Sequence, residues 1–385
     1  MAATATRVLF FLALVISSFA LSHARLAKFV PPALLGRNGL RRCKFDKIYQ
    51  FGDSISDTGN LIRESTGGAR TPFARPPYGE TFFKNATGRC SNGMLMIDYI
   101  AGLPLLNPYE GAGANFRHGV NFAVAGSTAL SFQALAAKDI ASPVTNSSLD
   151  VQLDWMSRHL SSVCHSNKDC AKKLKHSLFM VGEIGGNDYN YAFLQRKGVE
   201  EVKKMVPDVV SAIQNAVRRV IQDGAVHVVV PGNFPIGCLP IYLTTFQSNI
   251  SAAYDDHHCV KDLNNFAMYH NELLQQAIHE LKQEHPHATI LYGDYYNAFQ
   301  WLYSHAQYLG FDPATKQKAC CGTGGDYDFS IMNMCGGPEV PVCADPSRHI
   351  SWDGIHLTHE AYRRMAAWLI HNIIPGLKCL YSVRL

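Results

Sequence analysis

The sequence predicts an α/β domain whose parallel sheet is covered by helices on both faces. Short apolar runs of strand length alternate with longer segments whose apolar residues recur every three or four positions. Repeated strand–helix–strand order implies right-handed crossovers, and therefore a parallel sheet. Residues 25–385 contain no internal repeat or low-complexity linker, so we expect them to form a single domain.

Five Val- and Ile-rich runs, bounded by Gly or Pro, have the continuous apolar character of strands buried on both faces. In chain order they are KIYQF (47–51), HGVNFAVA (118–125), SLFMVG (177–182), AVHVVV (225–230) and ATILYG (288–293). Ligand sites in open parallel sheets lie beyond the carboxyl ends of the strands. Polar residues that directly follow these runs are therefore the first candidates for function.

Three segments have the apolar spacing of amphipathic helices. The first spans residues 202–224, between the third and fourth predicted strands, and it ends at Gly224, a residue type that commonly follows helices. The second has an apolar stripe over residues 260–281, and the third is THEAYRRMAAWLIHNII (358–374).

The N-terminal residues have the pattern of a secretory signal peptide. A basic start is followed by VLFFLALVISSFAL and a small-x-small site near Ser22-His23-Ala24, which predicts cleavage after residue 24. A retained signal anchor is the alternative. No later segment reaches about 18 uninterrupted apolar residues, so we expect no stable membrane insertion. The expected location is extracellular, in the apoplast or vacuole.

Charge and cysteine content fit the same route. The net charge is +4 without a dense Lys/Arg run, so nucleic acid is an unexpected partner. As a separate expectation, we expect a monomer. The 11 cysteines favour disulfides in an oxidising compartment. Cys164 and Cys170 could close a small loop, and a Gly-rich region carries four more cysteines, Cys320, Cys321, Cys335 and Cys343. The odd count leaves at least one thiol free or paired outside the chain. Candidate glycosylation sites are Asn85, Asn146 and Asn249.

The segment FGDSISDTGN (51–60) places Ser54 directly after the first predicted strand. A serine there can cap a helix, or it can act as a nucleophile beside backbone N–H groups. A nucleophile needs a histidine and an orienting carboxylate. WDGIHLTHEAY supplies both, with Asp353 and His356 three residues apart before the last helix. An aspartate that caps the helix beside a surface histidine is the simpler alternative.

Two Gly-rich strand ends offer donors for an oxyanion. GVNFAVAGST ends the second predicted strand at Gly126, and VGEIGGNDYN follows the third with Asn187. Taken separately, the glycine could merely permit a turn and the asparagine could form an Asx-turn. Together with Ser54 and the Asp353–His356 pair, they form the set that acyl transfer requires.

FGDSISDTGN, NFAVAG, GGNDY and DGIH resemble the four signature blocks of the plant GDSL esterase/lipases, within the SGNH hydrolase superfamily. FPIGC (234–238) and CCGTGG (320–325) resemble further landmarks of the plant branch, and the resemblance extends from Cys43 to about Cys379. Within the family, the chain is similar to the subgroup that contains acetylajmalan esterase and sinapine esterase. This resemblance implies a flavodoxin-like three-layer α/β/α sandwich around a central parallel sheet.

The resemblance also implies roles for the candidate residues. Ser54 is the nucleophile, His356 the general base and then acid, and Asp353 orients the histidine. The oxyanion hole consists of the Ser54 and Gly126 N–H groups and the Asn187 side chain. Neither metal nor organic cofactor is expected, and no CxxC pair suggests zinc.

The implied reaction is hydrolysis of a carboxylic ester through an acyl-serine. Acetyl or hydroxycinnamoyl esters of a specialised metabolite or a wall polysaccharide are the expected substrates. Transfer of the same acyl group to an alcohol is the alternative, because the two reactions share every step up to the acyl-enzyme. A non-catalytic binding role is disfavoured, since no member of the catalytic set is missing. YGETFF (78–83) lies on a loop that could border the pocket or simply be exposed.

Overall fold

Five parallel strands form the centre of the fold, in the order β2-β1-β3-β4-β5. The computed structural model describes Cys43 and residues 45–100 and 102–377, and the predicted signal peptide (1–24) lies outside this range. The strands are β1 (Lys47–Phe51), β2 (Gly119–Asn121), β3 (Ser177–Val181), β4 (His227–Pro231) and β5 (Thr289–Gly293). This strand order is that of flavodoxin-like folds, which confirms the predicted parallel sheet.

Register places the ends of the central strands side by side. Phe51 of β1 pairs with Val181 of β3, and Pro231 of β4 pairs with Gly293 of β5. Every strand runs in the same direction, so the loops that follow β1, β3 and β4 leave the same edge of the sheet. Side chains on these loops can therefore meet in one place, although they are far apart in sequence.

The helices cover the sheet in two groups. In chain order the helices of the described residues are α1 (Leu61–Glu64), α2 (Met96–Ile100), α3 (Phe132–Ala136), α4 (Leu149–Val163), α5 (Asn167–Leu174), α6 (Gly186–Leu194), α7 (Val199–Lys203), α8 (Val206–Gln222), α9 (Pro240–Thr245), α10 (Lys261–Glu284), α11 (Tyr295–Ser304) and α12 (His359–Ile373). Helix α8 packs against both α4 and α10, and α2 and α11 pack against α12. The result is a three-layer α/β/α fold.

Two elements are shorter than the sequence predicts, each for a local reason. The apolar stripe that starts at residue 202 is split between α7 and α8, and Pro207 lies in the first turn of α8. Proline has no N–H and clashes with the preceding turn, so it is tolerated at a helix start but not in its interior. Strand β2 ends at Asn121, whose side-chain oxygen accepts the N–H of Ala123 (2.9 Å) in a local Asx-type turn.

Four disulfides lie entirely within the described residues: Cys164–Cys170, Cys238–Cys259, Cys320–Cys343 and Cys321–Cys335. They confirm the small predicted loop and the crosslinked Gly-rich region. Among the described cysteines, Cys90 is a free and buried thiol. The three sequon residues Asn85, Asn146 and Asn249 are all exposed. No helix in the described ranges has both the length and the apolar character needed to cross a membrane.

Candidate active site

A mostly apolar pocket opens at the carboxyl edge of the sheet, where the loops after β1, β3 and β4 meet. Its polar lining includes Ser54 from the first loop and Asn187 from the second. The remaining lining residues are Asp53, Ile55, Glu183, Gly186, Asn190, Asn233, Phe234, Ile236, Leu239, Ile241, Tyr242, Ile355 and Leu357. Residues on both sides of His356 therefore share a pocket with Ser54.

The loop after β1 forms a tight turn around Ser54. Asp53 C=O accepts the N–H groups of Ser56 (3.1 Å) and Asp57 (2.9 Å). Gly52 has φ of +146°, and a Cβ there would lie 2.8 Å from the Glu183 carbonyl oxygen, so the turn requires glycine. Helix α1 begins after Asn60, and the Ser54 side chain accepts no backbone N–H from it. The capping interpretation of Ser54 is therefore not supported.

Gln152 of α4 ties this turn to the glycine loop that follows β2. Its side chain bonds both the N–H (2.9 Å) and the C=O (2.8 Å) of Gly52, and it also donates to Ser127 Oγ (2.7 Å). Gly126 has φ of +85°, and a Cβ there would lie 2.5 Å from Val144 Cγ1. Within the described part of the chain, no acceptor binds the backbone N–H of Ser54 or of Gly126.

Asn187 stands at the start of helix α6, directly after the β3 loop. Its Nδ2 donates to Ser127 C=O (2.9 Å) and more weakly to Asp53 Oδ2 (3.3 Å). Asn190, one turn further along the helix, donates to Asn187 Oδ1 (3.3 Å). These contacts bring the Asn187 amide beside both the Ser54 turn and the Gly126 loop.

The DGIH turn holds Asp353 and His356 together. Asp353 Oδ1 accepts the backbone N–H groups of Ile355 (3.0 Å) and His356 (2.8 Å), and Oδ2 accepts His356 Nδ1 (2.7 Å). Burial raises the pKa of Asp353, but the charge of His356 and these hydrogen bonds outweigh it, so the pKa lies below its ordinary value. Asp353 is therefore an ionised carboxylate at neutral pH.

The YGETFF loop completes the surroundings of this pair. Tyr78 donates its hydroxyl to Asp353 Oδ2 (2.8 Å), and the ring of Phe73 meets the His356 ring edge-on at 5.8 Å. His356 Nε2 is buried, and no described residue binds it. With Nδ1 fixed by Asp353, Nε2 is the nitrogen available to a substrate or nucleophile. The sequence left the place of this loop open, and the structure puts Tyr78 in contact with Asp353.

Sequence reasoning missed a second carboxyl group, Glu183, which lines the pocket beside Asp53. The two side chains are hydrogen-bonded to each other. Burial raises the pKa of Glu183 well above its ordinary value, and the charge of Asp53 raises it further. Burial also raises the pKa of Asp53, to about 7. The pair therefore holds at least one proton at neutral pH, which the two carboxyl groups share. The sequence signal was an acidic residue in VGEIGG, directly after β3.

Metal ligation finds little support among the described residues. Two clusters contain at least three potential ligands, Cys238–Asp255–Cys259 and Cys320–Cys343–His349. In both clusters the two cysteines are joined in a disulfide, so neither offers a thiolate. Both also lie outside the pocket lining.

Comparison with known proteins shows the family to which the chain belongs. The family described as GDSL-like Lipase/Acylhydrolase matches residues 48–369. Acetylajmalan esterase 1 of Rauvolfia serpentina is 48% identical over 343 residues, which cover 88% of this chain and 89% of that protein. A GDSL esterase/lipase of Arabidopsis thaliana is 46% identical over 339 residues, covering 88% and 92% of the two chains. The chain is thus a carboxylic ester hydrolase and belongs to the GDSL-like lipase/acylhydrolase family.

Proposed function

We propose that the enzyme hydrolyses small carboxylic esters by nucleophilic catalysis, with Ser54 as nucleophile, His356 as base and Asp353 as its orienting acid. The observation that carries this proposal is the shared pocket. Ser54 lies in its wall together with both neighbours of His356, whose Nε2 has no partner among the described residues. A buried imidazole nitrogen without a described partner, carried between two residues that line the pocket with Ser54, suits proton transfer from the serine hydroxyl.

In the first step, His356 Nε2 takes the proton of Ser54 Oγ as this oxygen attacks the ester carbonyl. The Asp353 carboxylate, already bonded to Nδ1 at 2.7 Å, stabilises the imidazolium that forms. His356 then returns the proton to the leaving alcohol. Water, activated by the same nitrogen, attacks the acyl-serine and releases the acid.

Three donors are assigned to the tetrahedral oxyanion. The N–H groups of Ser54 and Gly126 bind no described acceptor, so both are available to a substrate oxygen. The third donor is Asn187 Nδ2, through the N–H that makes the longer bond of 3.3 Å to Asp53. Because such donors are fixed before the substrate arrives, they stabilise the developing charge without reorganisation.

An acetyl ester of a specialised metabolite is the proposed substrate class, with hydroxycinnamoyl esters and acetylated wall polysaccharide as the other members. Relatives named acetylajmalan esterase support the acetyl assignment, since they align with 88% of this chain. The pocket lining near Ser54 is mostly aliphatic and aromatic, which suits an acyl group more than a polar alcohol.

We further propose that the protein is glycosylated and follows the secretory route. Four disulfides among the described residues suit an oxidising compartment, and the three sequon asparagines are accessible to a glycosyltransferase. Expression in plant cells, followed by glycosidase treatment and mass spectrometry of the mature N-terminus, tests both points.

Assays of p-nitrophenyl and natural acyl esters test the reaction. The wild-type enzyme should release free acid, and Ser54→Ala should reduce turnover by about 10⁶-fold, as nucleophile removal does in serine hydrolases. Full activity in Ser54→Ala would refute the proposal. Adding candidate alcohols as acceptors distinguishes hydrolysis from acyl transfer, because transfer would yield a new ester in place of the acid.

A further inference from the structure

A second apolar compartment lies next to the catalytic pocket, between helices α6 and α9. Four residues line it that do not line the catalytic pocket, Phe193, Leu194, Thr245 and Phe246. Three other residues, Asn190, Ile241 and Tyr242, line both spaces. We call the second space the distal compartment. The residues common to both spaces form the wall between them.

Tyr242 is the largest part of this wall. Its side chain is buried, and its ring packs against Phe193 at 5.9 Å and Phe246 at 6.1 Å on the distal side. Its hydroxyl donates to Asn190 Oδ1, so the two wall residues are bonded to each other across the gap between α6 and α9. A ring held by aromatic packing and by a hydrogen bond cannot swing aside without losing both.

We propose that the Tyr242–Asn190 pair closes the acyl pocket, so that Tyr242 restricts the enzyme to short acyl groups and the distal compartment is a latent site for a longer aliphatic chain. This inference rests on the proposed function, because it assumes an acyl group on Ser54. It adds a specificity-determining residue that touches the substrate, and it names the ligand class of the distal compartment as a saturated hydrocarbon chain.

The lining favours an acyl chain over the alcohol as the occupant. Apart from Asn190 and Thr245, the distal residues are aromatic or aliphatic, and Asn190 is already bonded to Tyr242. The hydroxyl groups of a sugar or polar metabolite would lose hydrogen bonds to water there without replacing them. A methylene chain loses nothing. Leu194 is 43% exposed, so the far end of the compartment lies close to solvent.

Removing the ring tests the wall. Tyr242→Ala should join the two spaces, whereas Tyr242→Phe keeps the ring and removes only the hydroxyl. Burying one methylene is worth about 0.8 kcal/mol, which corresponds to about fourfold in kcat/KM. Hexanoate has four more methylenes than acetate, so partial burial predicts a rise of about ten- to a hundredfold in the hexanoate/acetate ratio of kcat/KM for Tyr242→Ala.

The assay compares p-nitrophenyl acetate, butyrate, hexanoate and octanoate for the wild type, Tyr242→Ala and Tyr242→Phe. We expect the ratio to rise in Tyr242→Ala and to stay near the wild-type value in Tyr242→Phe. In Tyr242→Ala/Leu194→Trp the added indole should fill the distal compartment and cancel the gain. An unchanged ratio in Tyr242→Ala, or an equal rise in Tyr242→Phe, would overturn the proposal.

Two further arms keep the result interpretable. If Tyr242→Ala does not fold by circular dichroism, Tyr242→Leu replaces it, with a smaller expected rise in the same ratio. A second series holds the acyl group at acetate and varies the alcohol, and a change of preference there instead would show that the wall limits the alcohol. Ser54→Ala in the Tyr242→Ala background tests the proposed function separately, since it should abolish every rate. The acyl-length prediction is tested by the ratios in Tyr242→Ala itself and does not depend on this double variant.

Discussion

Two buried aspartates near the pocket have pKa values displaced in opposite directions. Asp353, in the DGIH turn, has a pKa below its ordinary value. Asp53, in the turn that carries Ser54, has a pKa raised to about 7. Both side chains are fully enclosed, so burial penalises the charged form of each.

The partners of each carboxyl group account for the difference. Asp353 accepts four hydrogen bonds, one from Tyr78, one from Ile355 and two from His356. Three of the four are therefore donated by residues of its own DGIH turn. Asp53 accepts the N–H of Ile55 (3.0 Å) and a long bond from Asn187, and it faces Glu183. The charge of His356 and the hydrogen bonds therefore keep Asp353 charged, whereas burial outweighs the hydrogen bonds to Asp53 and raises its pKa.

Of the substitutions that test this difference between the two aspartates, Asp353→Asn should have the largest effect on kcat. An amide in place of the carboxylate cannot stabilise the imidazolium and can select the wrong tautomer of His356, so kcat should fall by about 10⁴-fold, as in other serine triads. Steady-state kinetics on a short acyl ester measures the loss, with the exposed Asp345→Asn as control. A fall of less than tenfold would mean that Asp353 does not serve the reaction.

Asn187→Ala should lower kcat by about 10²- to 10³-fold, because it removes one of the donors assigned to the oxyanion. The lost amide acts on charge that exists only in the transition state, so KM should change little. Kinetics on the same ester separates the two constants. An effect confined to KM would instead make Asn187 a substrate-binding residue.

Tyr78→Phe removes one of the four hydrogen-bond donors to Asp353. Losing a hydrogen bond to a buried charge should reduce the free energy of unfolding by about 1.5–3 kcal/mol. Three donors remain, so we expect activity to fall by no more than about tenfold. Urea denaturation and kcat measure the two effects. Unchanged stability would show that the Tyr78 hydroxyl contributes nothing to holding the carboxylate.

Glu183→Gln changes the Asp53–Glu183 pair and should alter how the free energy of unfolding depends on pH. Because the pKa of Glu183 is raised from 4.5, the folded state binds more protons than the unfolded chain above that pH, and stability falls as pH rises. Glutamine retains the shape and removes this proton. The decline in the free energy of unfolding between pH 5 and 7 should therefore be shallower, by up to about 1.4 kcal/mol per pH unit.

Urea titrations of the wild type and of Glu183→Gln at several pH values provide the test, with the exposed Glu200→Gln as a matched control. Asp188, whose pKa burial also raises to about 7, is present in all three proteins. Parallel slopes in the wild type and Glu183→Gln would show that Glu183 is ionised in the folded enzyme.

Local patterns were enough to find the strands and the motif residues. Short apolar runs predicted the five strands of the described sheet, because a strand buried on both faces is apolar at most positions. Ser54, Gly126 and Asn187 were predicted from their places after strand ends, and Asp353 with His356 from a spacing of three residues. The interruption at Pro207 was the main local signal left unused, and it divides the predicted helix into α7 and α8.

The sequence alone indicates which residues could carry the chemistry. It also indicates that parallel strands would bring these residues to the carboxyl edge of the sheet. Only the tertiary structure decided how they are charged and enclosed. Glu183 meets Asp53, Tyr78 reaches Asp353, and Tyr242 closes the pocket, through contacts between segments up to 275 residues apart. The physical reason is that strand and helix patterns reflect neighbours within a few residues, whereas desolvation and hydrogen bonding depend on whatever the folded chain places nearby.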